Sequence, residues 1–392
     1  MSSNEQIVQQ TQHYLIENYG RLPVAVARGE GARFWDADGK EYLDLFAGFG
    51  GAGVAGHCHP KIVEAIRRQA ETLLCHGNLF TSQPQVDLAR AMTEHGFGGR
   101  VFFCHSGAEA NEDALKLVRK AAGEGRYKIL SFHGCFHGRT MGGLSLTPEP
   151  FQKGFEPMLP GNVKVDYNDL DAVAAALDDE TAGVFVEAIQ GEGGINMPSP
   201  DFLPGLRKLC DEKGVLLVMD EVWTAPGRTG QWYAYQHFGI EPDVMTLGKA
   251  CGGGAPVAAM VAAPKWADVL GPGTHGCTMG GNPLCAAAGA ATFELIQQEG
   301  LAARAAEKGR EIVEQIRQAN AACVTEVRGL GFMLGLQIVE DRAAKDLMLA
   351  CLERGLFVCM AKNNVLRLAP ALITPDEDIQ AGLDILLNVL KG

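Results

Sequence analysis

The chain has 392 residues, of which 47% are hydrophobic and 21% charged, an ordinary globular composition long enough for two or three domains. Its net charge of −13, with scattered lysines and arginines, argues against nucleic acid or an acidic membrane surface as the main partner, although small anionic ligands are not excluded. Eleven cysteines without a C-x-x-C spacing, a polar N-terminus without an apolar signal segment, and no apolar run long enough to cross a bilayer predict a reduced, cytoplasmic protein.

The first predicted element is a hairpin over residues 33–45, where RFWDADGKEYLDL contains an Asp-Gly turn. In the middle of the chain, short apolar runs without alternation are typical of strands buried on both faces, as in a parallel sheet. These runs cover residues 100–104, 128–132, 183–189, 215–220, 243–248 and 256–263. Helical patterns at 108–122 and 201–214 lie between them, so the order of elements predicts an α/β fold.

The final hundred residues have a different pattern. Two long helical patterns run from about residue 284 to 319, and short strands then alternate with helices until a closing helix from Pro375. We expect a smaller α+β domain here, which the first fifty residues join. The predicted organisation is therefore residues 1–50 and 286–392 in the small domain and 51–285 in the large one.

Lys249 follows one of the apolar runs and precedes three glycines. Burial of a lysine disfavours its charged form, which frees the amine for Schiff-base chemistry. Asp220 ends another predicted parallel strand, and ligands of open α/β sheets bind beyond the carboxyl ends of strands. The two side chains would face one crevice, as a pyridoxal phosphate site requires: an amine for the aldehyde and an acid for the pyridinium nitrogen. Taken singly, Lys249 fits a surface loop and Asp220 fits a helix cap.

Two further segments fit such a site. HSGAEANEDALK, residues 105–116, opens a helix directly after a strand, and helix N-termini bind phosphate, although alone the segment fits a well-capped helix. In FHGCFHGRT, residues 132–140, Phe136 suits stacking on a flat ring and Arg139 suits a bidentate pair with a carboxylate. The histidines and cysteine of that segment match no metal-ligand spacing, and we predict no metal site.

Seven motifs occur in an order that resembles the class III (subgroup II) pyridoxal-phosphate aminotransferases. The resemblance covers nearly the whole chain and is closest to the acetylornithine aminotransferases, with the ornithine and succinylornithine enzymes nearby. It implies fold type I, with a large domain whose mostly parallel sheet is covered by helices and a smaller α+β domain from both chain ends. The motifs are SGAEANEDALKL, FHGRT, VEAIQGEGG, DEVWTAPGRTG, LGKACGGGAP, HGCTMGGNPLCAA and RLAPAL.

The resemblance implies a role for each matching position. Lys249 would bind the cofactor aldehyde and then act as general base, while Asp220 would keep the pyridine nitrogen protonated. The other implied cofactor-binding positions are Gly107 and Ala108 at the phosphate, Phe136 and Val222 on the two ring faces, Glu221 and Trp223 beside Asp220, and Thr278 at the phosphate of a neighbouring subunit's cofactor. Of these, Glu221 is expected to act locally in its turn. The implied substrate-binding positions are Arg139, Cys277, the pair Arg367 and Glu192, and Glu187 near the cofactor's phenolic oxygen. Because Thr278 would contact the cofactor of a neighbouring subunit, the resemblance also implies a homodimer or a larger assembly.

Several positions depart from the family pattern. Trp223 stands where the family has Gln, Cys277 replaces a hydroxyl residue, and Met279 replaces a Tyr; the early segment 48–57 also differs. These departures concern the substrate more than the cofactor. The first hypothesis is transfer of the terminal amino group of N-acetylornithine, or a similar acylated ornithine, to 2-oxoglutarate with ping-pong kinetics. The alternatives are ornithine, succinylornithine, 4-aminobutyrate or another ω-amine as donor, and a non-catalytic relative that binds a metabolite.

Overall fold

The computed structural model describes residues 1–48 and 51–392. Phe49 and Gly50, two residues of the segment 48–57, lie outside the described residues. The chain begins with α1 (Ser3–Tyr14), which the polar N-terminal sequence does not predict but which a capping box of Ser2 and Glu5 stabilises. Strands β1 (Val26–Glu30), β2 (Arg33–Asp36) and β3 (Glu41–Asp44) follow, and then helices α2 (Pro60–Thr72) and α3 (Gln83–Glu94). Strands β2 and β3 pair antiparallel, so the predicted hairpin is confirmed.

A seven-stranded sheet occupies the middle of the chain. Its strands are β4 (Arg100–Cys104), β5 (Lys128–Phe132), β6 (Asn162–Val165), β7 (Thr181–Glu187), β8 (Leu216–Asp220), β9 (Val244–Leu247) and β10 (Ala258–Ala262). They lie in the order β4-β10-β9-β8-β7-β5-β6. Every residue of β7, β8, β9 and β10 is buried, which explains why these strands have continuous apolar sequences instead of alternation.

The sheet is parallel from β6 to β9, but β10 runs antiparallel to both β9 and β4. Only residues 248–257 separate β9 from β10. A parallel pair needs a crossover of roughly a dozen residues or more, so this connection returns β10 in the opposite direction. The run at 256–263 is therefore a buried strand as predicted, and the sheet as a whole is mostly parallel.

Helices cover the sheet and link its strands. They are α4 (Gly107–Ala122), α5 (Met141–Leu146), α6 (Leu170–Ala176) and α7 (Phe202–Lys213). Helix α7 ends at Gly214, whose left-handed backbone (φ 61°) forms the C-cap that the sequence predicts. Among the helices of residues 1–48 and 51–392, none is long and apolar enough to cross a membrane.

The C-terminal part contains α8 (Pro283–Gln298), α9 (Leu301–Gln318), β11 (Val324–Leu330), β12 (Met333–Ile338), α10 (Ala344–Glu353), β13 (Leu356–Phe357), β14 (Cys359–Ala361), β15 (Val365–Leu368) and α11 (Asp376–Lys391). Two small sheets form, in the orders β11-β12-β15-β14 and β1-β2-β3-β13. Because β13 pairs with β3, strands from the two chain ends share one sheet. The predicted fold, in which both ends build a smaller α+β part beside a large α/β part, is thus observed.

Candidate active site

Three adjacent parallel strands end side by side at one edge of the large sheet. Their register pairs Glu187 of β7 with Asp220 of β8, and Asp220 with Thr246 of β9. Lys249 is separated from the end of β9 by Gly248 alone, and it starts a short 3₁₀ helix. The carboxyl ends of parallel strands are where open α/β sheets bind ligands, so the topology itself brings these side chains to one place.

A cavity of about 230 Å³ lies at this edge. Among the residues that the sequence predicts for the site, ten line its wall, and they come from five separate segments of the chain. The lining consists of Gly107, Ala108, Asn111, Phe136, His137, Gly138, Arg139, Glu187, Glu192, Asp220, Val222, Trp223 and Lys249.

Asp220 is buried, and its carboxylate accepts three hydrogen bonds. Its Oδ2 accepts hydrogen bonds from Asn111 Nδ2 (2.8 Å) and from His137 Nδ1 (2.8 Å), and its Oδ1 accepts one from the Val222 N–H (3.0 Å). Burial acts to raise the pKa of Asp220, but the hydrogen bond and charge of His137, with the other two donors, outweigh it and hold the pKa below its usual value. The carboxylate is therefore kept ionised inside the protein.

Asn111 and His137 are functional candidates that the sequence reasoning missed. Asn111 donates to the backbone carbonyl of His137 (2.9 Å) as well as to Asp220, and its own Oδ1 accepts from Thr246 Oγ1 (2.8 Å). Both residues lie inside motifs already singled out, SGAEANEDALKL and FHGRT. The signal that could have found Asn111 is the presence of a polar residue on the buried face of α4, since a buried polar side chain needs partners.

Lys249 has a strained backbone and a perturbed amine. Its φ is +42°, in the left-handed region that residues other than glycine seldom adopt. Burial is the largest effect on its pKa and lowers it, against the opposing charges of Glu192, Asp220 and Glu187. Its Nζ lies 5.4 Å from the ring centroid of Trp223. A neutral, nucleophilic amine is therefore favoured more here than in water.

Trp223 is 6% exposed and forms part of the wall between Lys249 and Arg367. The guanidinium carbon of Arg367 lies 4.9 Å from its ring centroid, and Phe46 meets the ring edge-on at 6.0 Å. The indole fits because residue 191 is a glycine: a Cβ there would lie 1.7 Å from Trp223 Cε3. The tryptophan and the glycine at position 191 thus form a matched pair.

Two arginines supply positive charge. Arg367 on β15 is buried and forms an ion pair with Glu192 (Nη1 to Oε1, 3.1 Å), and it also donates to the carbonyls of Gly191 and Met360. Arg139 is exposed at the cavity, and its guanidinium carbon lies 5.4 Å from the Phe136 ring centroid. Glu192 therefore occupies the carboxylate-binding face of one arginine, while the other is open to a ligand.

The start of α4 approaches the cavity with its N–H groups. Ser106 and Glu109 form a capping box, which fixes the first turn. Gly107 packs so closely on the turn after β8 that a Cβ at this position would lie 2.5 Å from Val222 Cγ1. Gly107 and Ala108 are thereby held at the cavity wall at the positive end of the helix dipole, where an anion is stabilised.

Glu187 is a second buried acid beside Asp220. Its Oε1 accepts from the Phe136 N–H (2.8 Å) and its Oε2 from the Gly191 N–H (3.0 Å). Burial, opposed by the charge of His137 and reinforced by that of Asp220, raises the pKa of Glu187 to about 7. This carboxyl can therefore gain or lose a proton near neutral pH.

Four predicted residues do not line the cavity, and one of them, Arg367, lies beside it. Glu221 was predicted to bind the cofactor, but its carboxylate turns away from the cavity. It accepts hydrogen bonds from the N–H groups of Ala234 and Tyr235 and from the Thr224 hydroxyl. It therefore holds the turn after β8, as its expected local role requires, and has no contact with the cavity. Cys277 packs on the side of α4 against Cys104, and Thr278 is exposed, so neither reaches the cavity of its own chain.

The comparison with known proteins decides the family. Residues 14–390 match the family model described as "Aminotransferase class-III". The chain belongs to the class-III aminotransferases. It is 45% identical to the acetylornithine aminotransferase of Caldanaerobacter subterraneus subsp. tengcongensis over 386 residues, which cover 96% of this chain and 97% of that protein.

Two other members of the class are also similar. The succinylornithine transaminase of Salmonella enteritidis is 42% identical over 380 residues, 95% of this chain and 93% of that one. An ornithine aminotransferase structure from Toxoplasma gondii, crystallised with oxidised glutathione and with pyridoxal phosphate at partial occupancy in its active site, superposes with a TM-score of 0.95. It is 34% identical and covers 99% of this chain and 94% of that chain. The aminotransferase class and fold type predicted from the motifs are confirmed.

Proposed function

We propose that this aminotransferase uses pyridoxal phosphate to move the terminal amino group of N-acetylornithine, or of a similarly acylated ornithine, to 2-oxoglutarate. One observation carries the proposal: a single cavity combines the amine of Lys249 with the carboxylate of Asp220 and has Arg139 on its wall and Arg367 beside it, held by Glu192. The similarity to acetylornithine aminotransferases over 96% of the chain supports the choice of donor.

The residues present fit pyridoxal phosphate. Lys249 offers an amine whose pKa burial lowers, and Asp220 is an ionised carboxylate whose Oδ1 retains capacity for a further hydrogen bond. Phe136 and Val222 both line the cavity and suit the two faces of a flat ring. The N–H groups at the start of α4 suit the phosphate. When bound, this cofactor supplies an electron sink and carries the amino group between the two half-reactions.

The chain's own groups then have distinct tasks. Nζ of Lys249, with its lowered pKa, takes a proton from a substrate carbon and returns one. Asp220 stabilises positive charge at the inner end of the cavity, since His137 and Asn111 hold its carboxylate ionised and in place. Glu187, with a pKa raised to about 7 by burial, holds or releases a proton beside Asp220 near neutral pH.

The two arginines fit a dicarboxylate acceptor. Arg139 is open and can pair with one carboxylate, and Arg367 can pair with the other once Glu192 swings away. Glu192 is one-third exposed, so it can leave the pair for solvent at little desolvation cost, whereas Arg367 is almost fully buried and stays. A second substrate carboxylate would therefore displace Glu192 from Arg367.

A homodimer or larger assembly is part of the proposal. Thr278 is exposed and lies outside its own cavity, as expected for a residue that binds the phosphate in a neighbouring subunit. The segment near it carries exposed apolar side chains, including Leu79 (96% exposed) and Phe80 (71%), and Asn78 is hydrogen-bonded to the carbonyl of Cys277. Light scattering after size-exclusion chromatography would test this, and a monomer with full activity would contradict it.

The decisive experiment is an amino-donor panel. Purified enzyme should form glutamate from N-acetylornithine and 2-oxoglutarate with parallel lines in a double-reciprocal plot, and Lys249→Ala should abolish turnover. Ornithine, succinylornithine and 4-aminobutyrate should give lower kcat/KM values. Activity with one of these but not with N-acetylornithine would overturn the donor while leaving the reaction class intact.

Succinylornithine is the second candidate, and a specific contact favours it. Lys362 Nζ lies 3.7 Å from the Phe151 ring centroid, and the Arg139 guanidinium carbon lies 4.2 Å from the same centroid. Burial, followed by the charge of Arg139, lowers the pKa of Lys362. Two cations on one ring suit a donor whose acyl group ends in a carboxylate. If succinylornithine is the better donor, Lys362→Met should lower its kcat/KM and leave that of N-acetylornithine nearly unchanged.

A further inference from the structure

A cluster of possible metal ligands lies outside the cavity, at the start of α4. It consists of His105, Glu109 and Cys277, and one ligand atom from each lies within 4.8 Å of the other two. His105 Nδ1 is 3.3 Å from Glu109 Oε1 and 3.5 Å from Cys277 Sγ. All three side chains are partly exposed in the single subunit.

The two measured separations match those of a tetrahedral zinc site. With Zn–N and Zn–O bonds of about 2.1 Å and a Zn–S bond of about 2.3 Å, tetrahedral geometry requires ligand separations of roughly 3.4 Å for nitrogen to oxygen and 3.6 Å for nitrogen to sulfur. The sulfur-to-oxygen edge is no longer than 4.8 Å, and ion binding would bring it to about 3.6 Å.

The hydrogen bonds of the cluster leave the required lone pairs available. Glu109 Oε2 accepts from the N–H groups of His105 and Ser106 and from the Ser106 hydroxyl, so the capping box uses that oxygen. Among the residues that the structure describes, Oε1 has a hydrogen-bond contact only with His105 Nδ1. Both Oε1 and the thiol of Cys277 approach this one nitrogen, which can serve only one of them as donor or acceptor at a time. A cation between the three atoms would satisfy all of them together.

We propose that His105, Glu109 and Cys277 bind a Zn²⁺ ion, with water as the fourth ligand. A neutral imidazole, a carboxylate and a thiolate balance the two positive charges of the ion, and the thiol proton leaves to solvent. Nitrogen, oxygen and sulfur together suit Zn²⁺ far better than Mg²⁺ or Ca²⁺, which prefer oxygen ligands alone. Sequence spacing does not indicate the site, because the third ligand lies 168 residues after the second.

The site connects two segments proposed to hold the cofactor. Ser106, Gly107 and Ala108 lie between two of the ligands, and Thr278 follows the third. A bound ion would therefore fix the Cys277 segment to the first turn of α4. Cys277 is one of the positions at which this chain departs from the family pattern of a hydroxyl residue, and the proposed site depends on it. The zinc site does not depend on the identity of the amino donor.

The test is a zinc titration of the holoenzyme after treatment with a chelator. We expect one Zn²⁺ per subunit by native mass spectrometry and isothermal titration calorimetry. Cys277→Ser and His105→Asn should each weaken binding by at least about tenfold, since even changes to the partners of metal ligands cost 10–100-fold. The matched control is the double variant Cys58→Ser and Cys75→Ser, which removes the two exposed cysteines and should bind zinc as the parent does.

Cobalt gives an independent readout, because tetrahedral Co²⁺ has intense visible bands at longer wavelengths than the cofactor absorbs. These bands should appear in the parent and the control and be lost in Cys277→Ser, while circular dichroism verifies that each variant is folded. Equal zinc affinity in the parent and in both site variants would overturn the proposal. So would loss of zinc in the control alone, since binding would then occur at exposed thiols.

Discussion

His137 should set the protonation of Asp220, and this can be tested by removing a single hydrogen bond. His137 is 1% exposed, and its Nδ1 lies 2.8 Å from Asp220 Oδ2. A hydrogen bond to a charged group contributes about 1.5–3 kcal/mol net. The loss of this hydrogen bond should raise the pKa of Asp220, because burial continues to favour the neutral carboxyl.

The assay is the pH dependence of kcat/KM, whose acidic limb reports groups of the free enzyme. In His137→Leu that limb should move toward neutral pH, because the pKa of Asp220 rises when the His137 hydrogen bond is lost. His137→Asn is the matched control, because its amide nitrogen lies near the position of Nδ1 and can donate to Asp220. Its limb should stay close to the parent's. If the Leu and Asn variants shift equally, or if neither shifts, His137 acts through volume alone and the reasoning is wrong.

Other perturbations test the rest of the site. Glu187 keeps its proton up to about pH 7 when folded and releases it near 4.5 when unfolded, so the stability that its neutral form contributes is fully present below pH 4.5 and lost as pH rises to 7. Urea unfolding of the apoenzyme should show a fall of about 3 kcal/mol in the free energy of unfolding over this pH range, and Glu187→Gln should lack that fall. The same pH dependence in the parent and in Glu187→Gln would contradict it. Arg367→Lys should lower kcat/KM for 2-oxoglutarate by about 10–100-fold, because a point charge replaces a buried planar donor; steady-state kinetics that leave this value unchanged would remove Arg367 from the acceptor site. Trp223→Gln should change the ratio of kcat/KM between acylated and free ornithine by about tenfold, as reshaped pockets do, and a constant ratio would make Trp223 a packing residue only.

The sequence predicts the site's geometry well where chain topology determines it. Asp220 and Lys249 are brought together because each follows a buried parallel strand and β8 and β9 are neighbours. The carboxyl ends of neighbouring parallel strands lie at the same edge of the sheet, so the strand order alone places the two residues close together. The position of Glu187 follows in the same way from the pairing of β7 with β8.

Features that depend on side-chain direction could not be predicted. Glu221 and Asp220 are adjacent in sequence, but the turn after β8 sends their carboxylates to opposite sides, one toward Ala234 and one toward the cavity. Asn111 is one of several polar residues on α4, and only the packing of the helix on the sheet selects it as a partner of Asp220. Strand β6 was missed because it is a half-buried edge strand, whose polar residues weaken the apolar pattern.

The charges around the cavity explain how one site accepts two different substrates. N-acetylornithine carries one carboxylate and one ammonium group, whereas 2-oxoglutarate carries two carboxylates and no amine. In the proposed reaction, Arg139 would meet the donor's single carboxylate, and the Arg367–Glu192 pair at 3.1 Å could stay closed without leaving a buried charge unpaired. The acceptor's second carboxylate would replace Glu192 on Arg367, so the number of opposite charges around that arginine would stay the same. Because each substrate would need a different state of one ion pair, the two would not occupy the site together, which agrees with the ping-pong kinetics of the proposed reaction.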